Sequence, residues 1–362
     1  YIYSDEKRFS SEGQFNDVYR QFNSQNSNLY FSGKALDEKL SFTIQMDYSS
    51  TDPLVEAFIG YHFNEKTALY FGQMQVSHNN LEMVHNEDEL RFTNRGMISQ
   101  MYSENGEEFG LFLESSFGNS FVIEPKFAIT SGDGRNSFGD DSRDSDKGGV
   151  KLGSRINFYP FGHFAPGNQL TTVDLEGEEK LKAQLGFAFS KNFGASNLVG
   201  DGHGDFILYD GIGNEQYPDY SQLFFDLNLK YRGFSFVFEY ADATASALEY
   251  IFTDPNGFNI LNPTQISEYL ILGDSQGIQF GYFTKNGLSF DFIYDKFNPE
   301  FDLNLNSILR ESTNLGIGVS KYIVGNKLKL QASAFKTNYK NSVEGLDDDE
   351  FMSAAFLVQI AF

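Results

Sequence analysis

The chain has 362 residues, with 27 Lys and Arg against 50 Asp and Glu and a formal net charge of −23 at pH 7. That charge argues against nucleic acid as a partner. Cysteine is absent, which excludes disulfides, thiol catalysis and cysteine-based metal sites. No apolar run of about eighteen residues occurs, so spanning helices are excluded, whereas spanning strands need only one apolar face.

Alternation of apolar and polar residues predicts strands along most of the chain. A first strand is expected within 13–22, and because the chain begins on Tyr we interpret it as a mature form without its signal peptide. Residues 40–49 alternate without interruption. The other predicted strands are 28–35, 54–63, 67–76, 107–117, 121–130, 150–159, 180–191, 221–232, 234–241, 276–284, 288–296, 314–322, 327–338 and 350–362. About sixteen strands result, and bacterial single-chain barrels use even numbers.

The C-terminal strand has one continuously apolar face. Counting in twos from Phe362 gives Ile360, Val358 and Phe356, whereas the other register is mixed and contains Gln359. An aromatic residue after such a strand is typical of the last strand of an outer-membrane barrel. The alternative is a buried edge strand of a soluble sandwich, and the recurrence of the pattern along the chain favours the barrel.

Short and long connections alternate along the predicted strands. The short ones are 36–39, 64–66, 118–120, 232–233, 286–287 and 324–326, and the long ones are 77–106, 131–149, 195–220, 242–275, 297–313 and 339–349. Transmembrane barrels have short periplasmic turns and long external loops, so we expect the two sets to face opposite sides of a membrane. The segment 160–179 does not fit this alternation.

Residues 28–162 carry motifs of a known channel family. The motifs are Phe31-Ser-Gly-Lys-Ala-Leu36, 40–48, Phe71-Gly-Gln-Met74, 86–95, Ser131-Gly-Asp-Gly-Arg-Asn136, Gly153-Ser-Arg155 and Tyr159-Pro-Phe-Gly162. In this order and spacing they resemble the phosphate-selective porin O and P family. The resemblance implies a sixteen-stranded outer-membrane channel, commonly a trimer. It also implies that 77–106 is a constriction loop inside the lumen, with Arg91 and Arg95 near its end.

The inward register of the predicted strands is of mixed charge, unlike the cationic track that this family uses for anions. The candidate pore-lining residues are Arg91, Arg95, Glu114, Glu124, Lys126, Lys151, Arg155, Lys182, Asp226, Lys230, Glu239 and Asp291. We expect salt bridges between residues that are adjacent in the pattern, such as Glu124 with Lys126 and Asp226 with Lys230. Strong phosphate selectivity is therefore not expected.

No residue pattern indicates catalysis or a cofactor. The five His residues show no paired spacing on one strand, and no Ser-His constellation is evident. The acidic run with Asp140, Asp144 and Asp146 offers oxygen ligands at alternating positions, but a solvated external loop is the better interpretation than a calcium site. We expect neither an enzyme nor a cofactor.

These observations predict a single domain, residues 1–362, that forms a transmembrane antiparallel β-barrel in a Gram-negative outer membrane. We expect a water-filled channel for passive diffusion of small hydrophilic solutes and ions. The alternative is a structural or accessory barrel of a larger outer-membrane complex. Expected partners are outer-membrane lipid and either two further copies, as a homotrimer, or a larger assembly.

Overall fold

The computed structural model describes residues 2–9, 15–104, 106–137, 149–301, 309–340 and 350–361. One antiparallel sheet contains all the strands of these residues. The strands are β1 (Ile2–Phe9), β2 (Phe15–Asn23), β3 (Asn28–Ala35), β4 (Leu40–Asp47), β5 (Leu54–Asn64), β6 (Thr67–Gln75), β7 (Glu107–Ser115), β8 (Phe117–Gly118), β9 (Val122–Thr130), β10 (Lys151–Tyr159), β11 (Lys182–Phe193), β12 (Asp219–Tyr231), β13 (Phe234–Ser246), β14 (Gly273–Phe283), β15 (Leu288–Pro299), β16 (Ser312–Val324), β17 (Leu328–Tyr339) and β18 (Glu350–Ile360).

Helices are few and short. The α-helix α1 spans Met97–Tyr102, and 3-10 helices span Glu87–Glu89, Pro166–Asn168 and Pro263–Glu268. None of the helices in the described residues is long and apolar enough to cross a membrane. The fold is therefore all-β, as the sequence predicted.

Two strands were not predicted. They are β1 and the two-residue β8, which continues the pairing of β7 along β9. The other sixteen correspond one to one to the predicted strands, with ends that differ by a few residues. The predicted strand pattern is confirmed.

Strands that follow one another in the chain are neighbours in the sheet. From β3 to β18 each strand pairs with the next, with β7 and β8 both beside β9. β18 also pairs with β1, where Ile2 lies opposite Leu357, and β1 pairs with β2. This pairing brings both ends of the described chain together, as the wall of a barrel requires.

The sheet is apolar outside and polar inside. On β16, the outward residues Leu315, Ile317 and Val319 are 45%, 58% and 46% exposed, whereas the inward Asn314 and Ser320 are 6% and 1% exposed. This is the reverse of a water-soluble sheet, in which the apolar face is buried. It is the arrangement of a barrel whose outer wall contacts lipid.

Connection length sorts by end of the barrel, as predicted. Because neighbouring strands are antiparallel, the short turns predicted from the sequence all lie at one end, and the long connections lie at the other. Arg232 and Gly233 make the tightest hairpin, with φ of 49° and 85°, the left-handed pair that a two-residue turn requires. The exception is residues 160–181, a long connection at the short-turn end.

The register of β18 can be tested at two adjacent residues. Val358 shares the outer face with Phe356 and Ile360, whereas the Gln359 amide donates to the Asp88 carbonyl oxygen at 3.0 Å inside. We expect Val358→Arg to destabilise the barrel in lipid by about 2–4 kcal/mol. Gln359→Arg should cost less because its charge faces polar groups. Urea unfolding in lipid vesicles measures both. Equal losses would contradict this register, and a larger loss for Gln359→Arg would place the opposite face of β18 in lipid.

The two ends of the barrel can be assigned by labelling. Asn256 lies exposed in a long connection and Asn286 lies exposed in a short turn. Because the natural sequence has no cysteine, Asn256→Cys and Asn286→Cys each introduce a unique thiol. On intact cells, a membrane-impermeant maleimide should modify the first and spare the second. Labelling of Asn286→Cys alone would show that the short turns face the outside of the cell, the opposite of the expected orientation.

Candidate channel interior

Residues 77–106, the connection between β6 and β7, fold into the interior of the barrel. Their most enclosed side chains include Leu81, Arg91 and Tyr102, which are 0%, 1% and 1% exposed. The resemblance implied an inserted segment at this place in the chain. We refer to it as loop 77–106.

Loop 77–106 is bound to the inner faces of β12 to β18. The Asn80 amide donates to Glu239 Oε1 on β13 at 2.9 Å. From the wall, Lys329 Nζ on β17 donates to the Leu90 carbonyl oxygen at 3.0 Å. Contacts of this kind satisfy both the loop backbone, which has no regular hydrogen-bond partner, and the inward polar side chains.

Arg155 on β10 forms a buried ion pair with the wall. Its Nη2 lies 2.7 Å from Asp226 Oδ2 on β12, and both side chains are at most 1% exposed. Its Nη1 donates to the Asn79 carbonyl oxygen of loop 77–106 at 2.9 Å. Between them, Gly186 on β11 leaves the room for the guanidinium, since a Cβ there would lie 2.1 Å from Nη2.

Arg91 joins four parts of the interior. From loop 77–106, its Nη2 donates to Ser235 Oγ on β13 at 2.8 Å and to the Thr172 carbonyl oxygen at 2.7 Å. Its Nη1 lies 3.6 Å from Asp291 Oδ1 on β15. A Cβ on Gly281 would lie 2.6 Å from the same Nη1, so this strand also needs a glycine beside a buried cation.

A third cluster of charged side chains, after those around Arg155 and Arg91, lies toward the end of the barrel that has the long connections. Lys151 Nζ donates to Glu108 Oε1 at 2.6 Å and lies 3.6 Å from Asp201 Oδ1. His78, fully buried at the start of loop 77–106, has Nε2 3.9 Å from the same Glu108 oxygen. Burial lowers the pKa of His78 to about 4, with the Glu108 carboxylate acting in the opposite direction and the Lys151 charge in the same direction, so the neutral ring is favoured at pH 7.

The predicted partners of two inward cations were wrong. Lys126 pairs with Glu114 on the neighbouring strand at 2.9 Å rather than with Glu124, and Asp226 pairs with Arg155 rather than with Lys230. Successive inward residues on one strand lie about 7 Å apart. Glu114 and Lys126 lie directly opposite each other on adjacent strands, about 5 Å apart. Arg155 instead reaches Asp226 across β11, where Gly186 has no side chain between them.

Residues 160–181 account for the break in the alternation of connection lengths. This connection between β10 and β11, which we refer to as segment 160–181, turns into the barrel from the short-turn end. Asn168, Val173 and Asp174 are each 0% exposed. A turn that packs inside the barrel can be long without projecting from its short-turn end.

Part of the interior, toward the short-turn ends of β7 and β9, is accessible to water. The side chains of Glu114 and Lys126 are 30% and 25% exposed, and those of Glu124 and His163, 3.6 Å apart, are 20% and 37% exposed. We call these four residues the half-exposed strip. The buried cations Arg91 and Arg155 are each 1% exposed. Glu114, Glu124 and Lys126 lie on the inner wall, and His163 lies on segment 160–181, so the inserted segments leave this part of the interior partly open to water.

The predicted pore-lining residues divide into a buried and a half-buried group. The buried ones are Arg91, Lys151, Arg155, Asp226, Lys230, Glu239 and Asp291. The half-buried ones are Arg95, Glu114, Glu124, Lys126 and Lys182. The Arg95 guanidinium is nevertheless hydrogen-bonded within loop 77–106, because it donates to the carbonyl oxygens of Glu82 at 2.6 Å and His85 at 2.9 Å.

Some interior residues were missed at the sequence level. Lys329 and Gln331 lie on the polar register of a predicted strand, so alternation alone could have identified them. Asn80 and Thr172 lie in irregular segments. No periodicity could have placed them inside the barrel.

Groups that could bind a metal are few in the described part of the chain. The weak calcium candidate Asp140, Asp144 and Asp146 lies outside the described residues. Among the described residues, Glu104, Asp201 and His203 bring one ligand atom each to within 4.8 Å of one another. Because Asp201 also lies 3.6 Å from the Lys151 ammonium, this cluster already has a cation beside it.

Comparison with known proteins agrees with this architecture. The structure is similar to Pseudomonas putida OprB, with a TM-score of 0.56, 11% identity and coverage of 100% of this chain and 93% of that one. It is also similar to two structures of OmpT, an outer membrane protein of Vibrio cholerae. A loop L8 deletion mutant gives a TM-score of 0.52, 11% identity and coverage of 98% and 96%, and a trimer form gives 0.52, 11%, 99% and 97%.

These likenesses define the class of fold. At 11% identity they show the architecture alone, which is the transmembrane β-barrel of bacterial outer-membrane proteins. No family profile matches the chain, and no curated protein matches it. The predicted fold class is confirmed, and the predicted outer-membrane location agrees with the class of these neighbours.

The buried ion pair of Arg155 and the half-exposed ion pair of Lys126 should contribute differently to the stability of the barrel. Arg155→Met leaves the Asp226 carboxylate buried without its cation, and we expect it to lower the free energy of unfolding by about 3–5 kcal/mol. Lys126→Met removes a cation from a half-exposed pair and should cost about 1 kcal/mol or less. Urea unfolding followed by circular dichroism measures both. Similar losses would mean that the two ion pairs share one environment.

Proposed function

We propose that the chain is a channel for passive diffusion of small hydrophilic solutes and ions across a bacterial outer membrane. The half-exposed strip is the observation that carries this proposal. Glu114, Glu124 and Lys126 lie on the inner face of a barrel whose outer face is apolar and are 20–30% exposed, whereas Arg155 and Asp226 in the same interior are at most 1% exposed. Charged side chains at such a wall bias which ions enter a water-filled passage.

The proposed passage follows the wall from β3 to β9. Tyr30 of β3 is 48% exposed and Glu87 of loop 77–106 is also exposed, and both border this passage. Toward the short-turn end, the passage continues along Glu114 and Lys126. Loop 77–106 occupies the remaining width, so it acts as the constriction that the resemblance implies.

The fixed charges of this passage favour weak cation preference or little selectivity. Carboxylates of Glu87, Glu114 and Glu124 border it, and the Lys126 ammonium is paired with one of them. A paired cation contributes little at long range, since salt screens charges beyond about 8 Å. The negative charge of the chain adds to this preference through its external loops.

A phosphate channel would need unpaired, clustered cations. Here Arg91 and Arg155 are buried in ion pairs, and Arg95 is bound to backbone carbonyl oxygens. The resemblance to the O and P porins therefore supports a diffusion channel in our proposal, without their phosphate selectivity.

Ion selectivity gives the direct test. In a salt gradient, we expect a reversal potential that indicates a weak preference for cations. Micromolar phosphate should not block the current. Glu114→Gln frees the Lys126 charge and should shift the potential toward anions. Lys126→Gln frees Glu114 and should shift it toward cations. Strong anion selectivity that is lost in Arg95→Ala would contradict this account and favour a phosphate channel instead.

A second candidate is an accessory barrel in a larger outer-membrane assembly. Two long connections, 194–218 and 247–272, pack together through Tyr209 and Phe252 and expose Ile212 and Phe258 at 86% and 83%. Exposed apolar side chains on a rigid support suit contact with another protein. Wild-type protein that never conducts in planar bilayers would favour this function over the channel.

We further propose that the protein is a non-enzymatic oligomer. The trimer form of Vibrio cholerae OmpT supports a trimer by fold analogy alone. The channel account requires no catalytic group. Hydrolytic activity abolished by a single Ser or Asp substitution would contradict the non-enzymatic part.

A further inference from the structure

Segment 160–181 differs from every other described connection at its end of the barrel. The turns 232–233, 284–287 and 325–327 join their strands directly. Segment 160–181 instead enters the barrel and places Val173 and Asp174 at 0% exposure. Two residues are enough to join two adjacent antiparallel strands, so the length of this segment is not needed for the connection.

Lys230 on β12 binds the segment from the wall. Its Nζ donates to the carbonyl oxygens of Asn168 at 2.6 Å and Thr171 at 2.5 Å, and the side chain is 1% exposed. The Phe164 ring lies 4.6 Å from the same ammonium. A buried ammonium needs such oxygen partners, so the lysine and the segment stabilise each other.

Asp174 makes the second attachment. Its Oδ2 accepts from the Gly233 backbone N–H at 2.7 Å, at the hairpin between β12 and β13. Its Oδ1 accepts from the Asn168 side chain at 2.7 Å and from the Glu178 N–H at 3.0 Å. One carboxylate therefore fixes the fold of the segment and its position on the wall.

The segment also contacts loop 77–106 inside the barrel. Arg91 donates to the Thr172 carbonyl oxygen at 2.7 Å, and the Thr171 hydroxyl donates to the Glu89 carbonyl oxygen at 3.1 Å. The two inserted segments, which enter from opposite ends, thus form one continuous body. This body covers the inward faces of β12 and β13.

The free side of the segment borders the half-exposed strip. His163 Nε2 lies 3.6 Å from Glu124 Oε1, and the two side chains are 37% and 20% exposed. The passage therefore meets segment 160–181 after it has passed loop 77–106.

We propose that segment 160–181 is a second constriction, which limits the size and rate of solutes at the short-turn end. Lys230 and Asp174 are the positioning residues that keep it in place. This inference rests on the proposed channel function. It predicts that releasing the segment widens the passage while loop 77–106 remains bound to β14 to β18.

The test combines a reporter of the segment with a reporter of the pore. Val173→Cys puts a unique thiol at a fully buried position of a chain that has no cysteine. In this background, Lys230→Met and Asp174→Asn, singly and together, remove the two attachments. Lys191→Met is the matched control, because Lys191 on the neighbouring β11 pairs with Asp219 at 2.9 Å away from the segment. Heat-modifiable gel mobility confirms that each full-length variant is folded.

Two quantities are measured on the same preparations. The first is the rate at which a small charged methanethiosulfonate modifies the thiol. The second is the width of the pore, measured by single-channel conductance and by vesicle swelling in sugars of increasing size. We expect both released variants to be modified faster, to conduct about twofold more or higher, and to admit larger sugars. The Lys191→Met control should match the parent in both.

The outcomes separate this inference from the channel proposal. Faster modification with unchanged conductance and size limit would overturn the second constriction and leave the channel standing. Unchanged modification in the doubly substituted protein would show that Lys230 and Asp174 do not position the segment, which also overturns it. A silent parent with conducting released variants would support the constriction and contradict passive conduction by the wild type. Absence of current from all variants would overturn both.

Discussion

Arg91 lies almost completely out of contact with water at the meeting point of the wall and both inserted segments. A guanidinium remains charged when it is buried, so its burial is tolerated only when acceptor oxygen atoms lie close to it. Here the oxygens come from Ser235 and Asp291 of the wall and from the Thr172 backbone. The contacts of this one cation therefore link loop 77–106, segment 160–181 and two strands to one another.

The same requirement explains why the interior has a dry and a wet side. An outer face that contacts lipid forces polar side chains inward, and those removed from water must be hydrogen-bonded. On β10 to β18 the inserted segments supply the partners, for example the Asn79 carbonyl oxygen for Arg155 and the Leu90 carbonyl oxygen for Lys329. Over Glu114 and Lys126, on β7 and β9, the inserted segments leave both side chains partly exposed to water, at 30% and 25%.

Much of the wall could be predicted from the sequence because a strand has a period of two. Alternation gave the strands, the inward register and the outer face of β18, with Val358 outside and Gln359 inside. It could not give the contents of the barrel. Asn80 and Thr172 lie in irregular segments whose positions depend on partners far along the chain, such as Glu239 and Arg91.

The charge partners show the same limit. The sequence identified Lys126, Asp226 and Lys230 as inward-facing, but it paired neighbours along one strand. Actual partners lie across strands, as Glu114 does for Lys126, or on an inserted backbone, as for Lys230. Strand register and inserted segments decide these contacts, and neither is encoded in local alternation.

The division of the interior into a dry and a wet side is tested most directly by matched serine-to-cysteine substitutions. Ser41 faces inward on β4 and is partly exposed, whereas Ser275 and Ser320 face inward on β14 and β16 at 0% and 1% exposure. A small charged thiol reagent applied to the folded protein in vesicles should modify Ser41→Cys and spare Ser275→Cys and Ser320→Cys. Equal modification of all three would contradict the filled interior, and an unreactive Ser41→Cys would contradict the water passage.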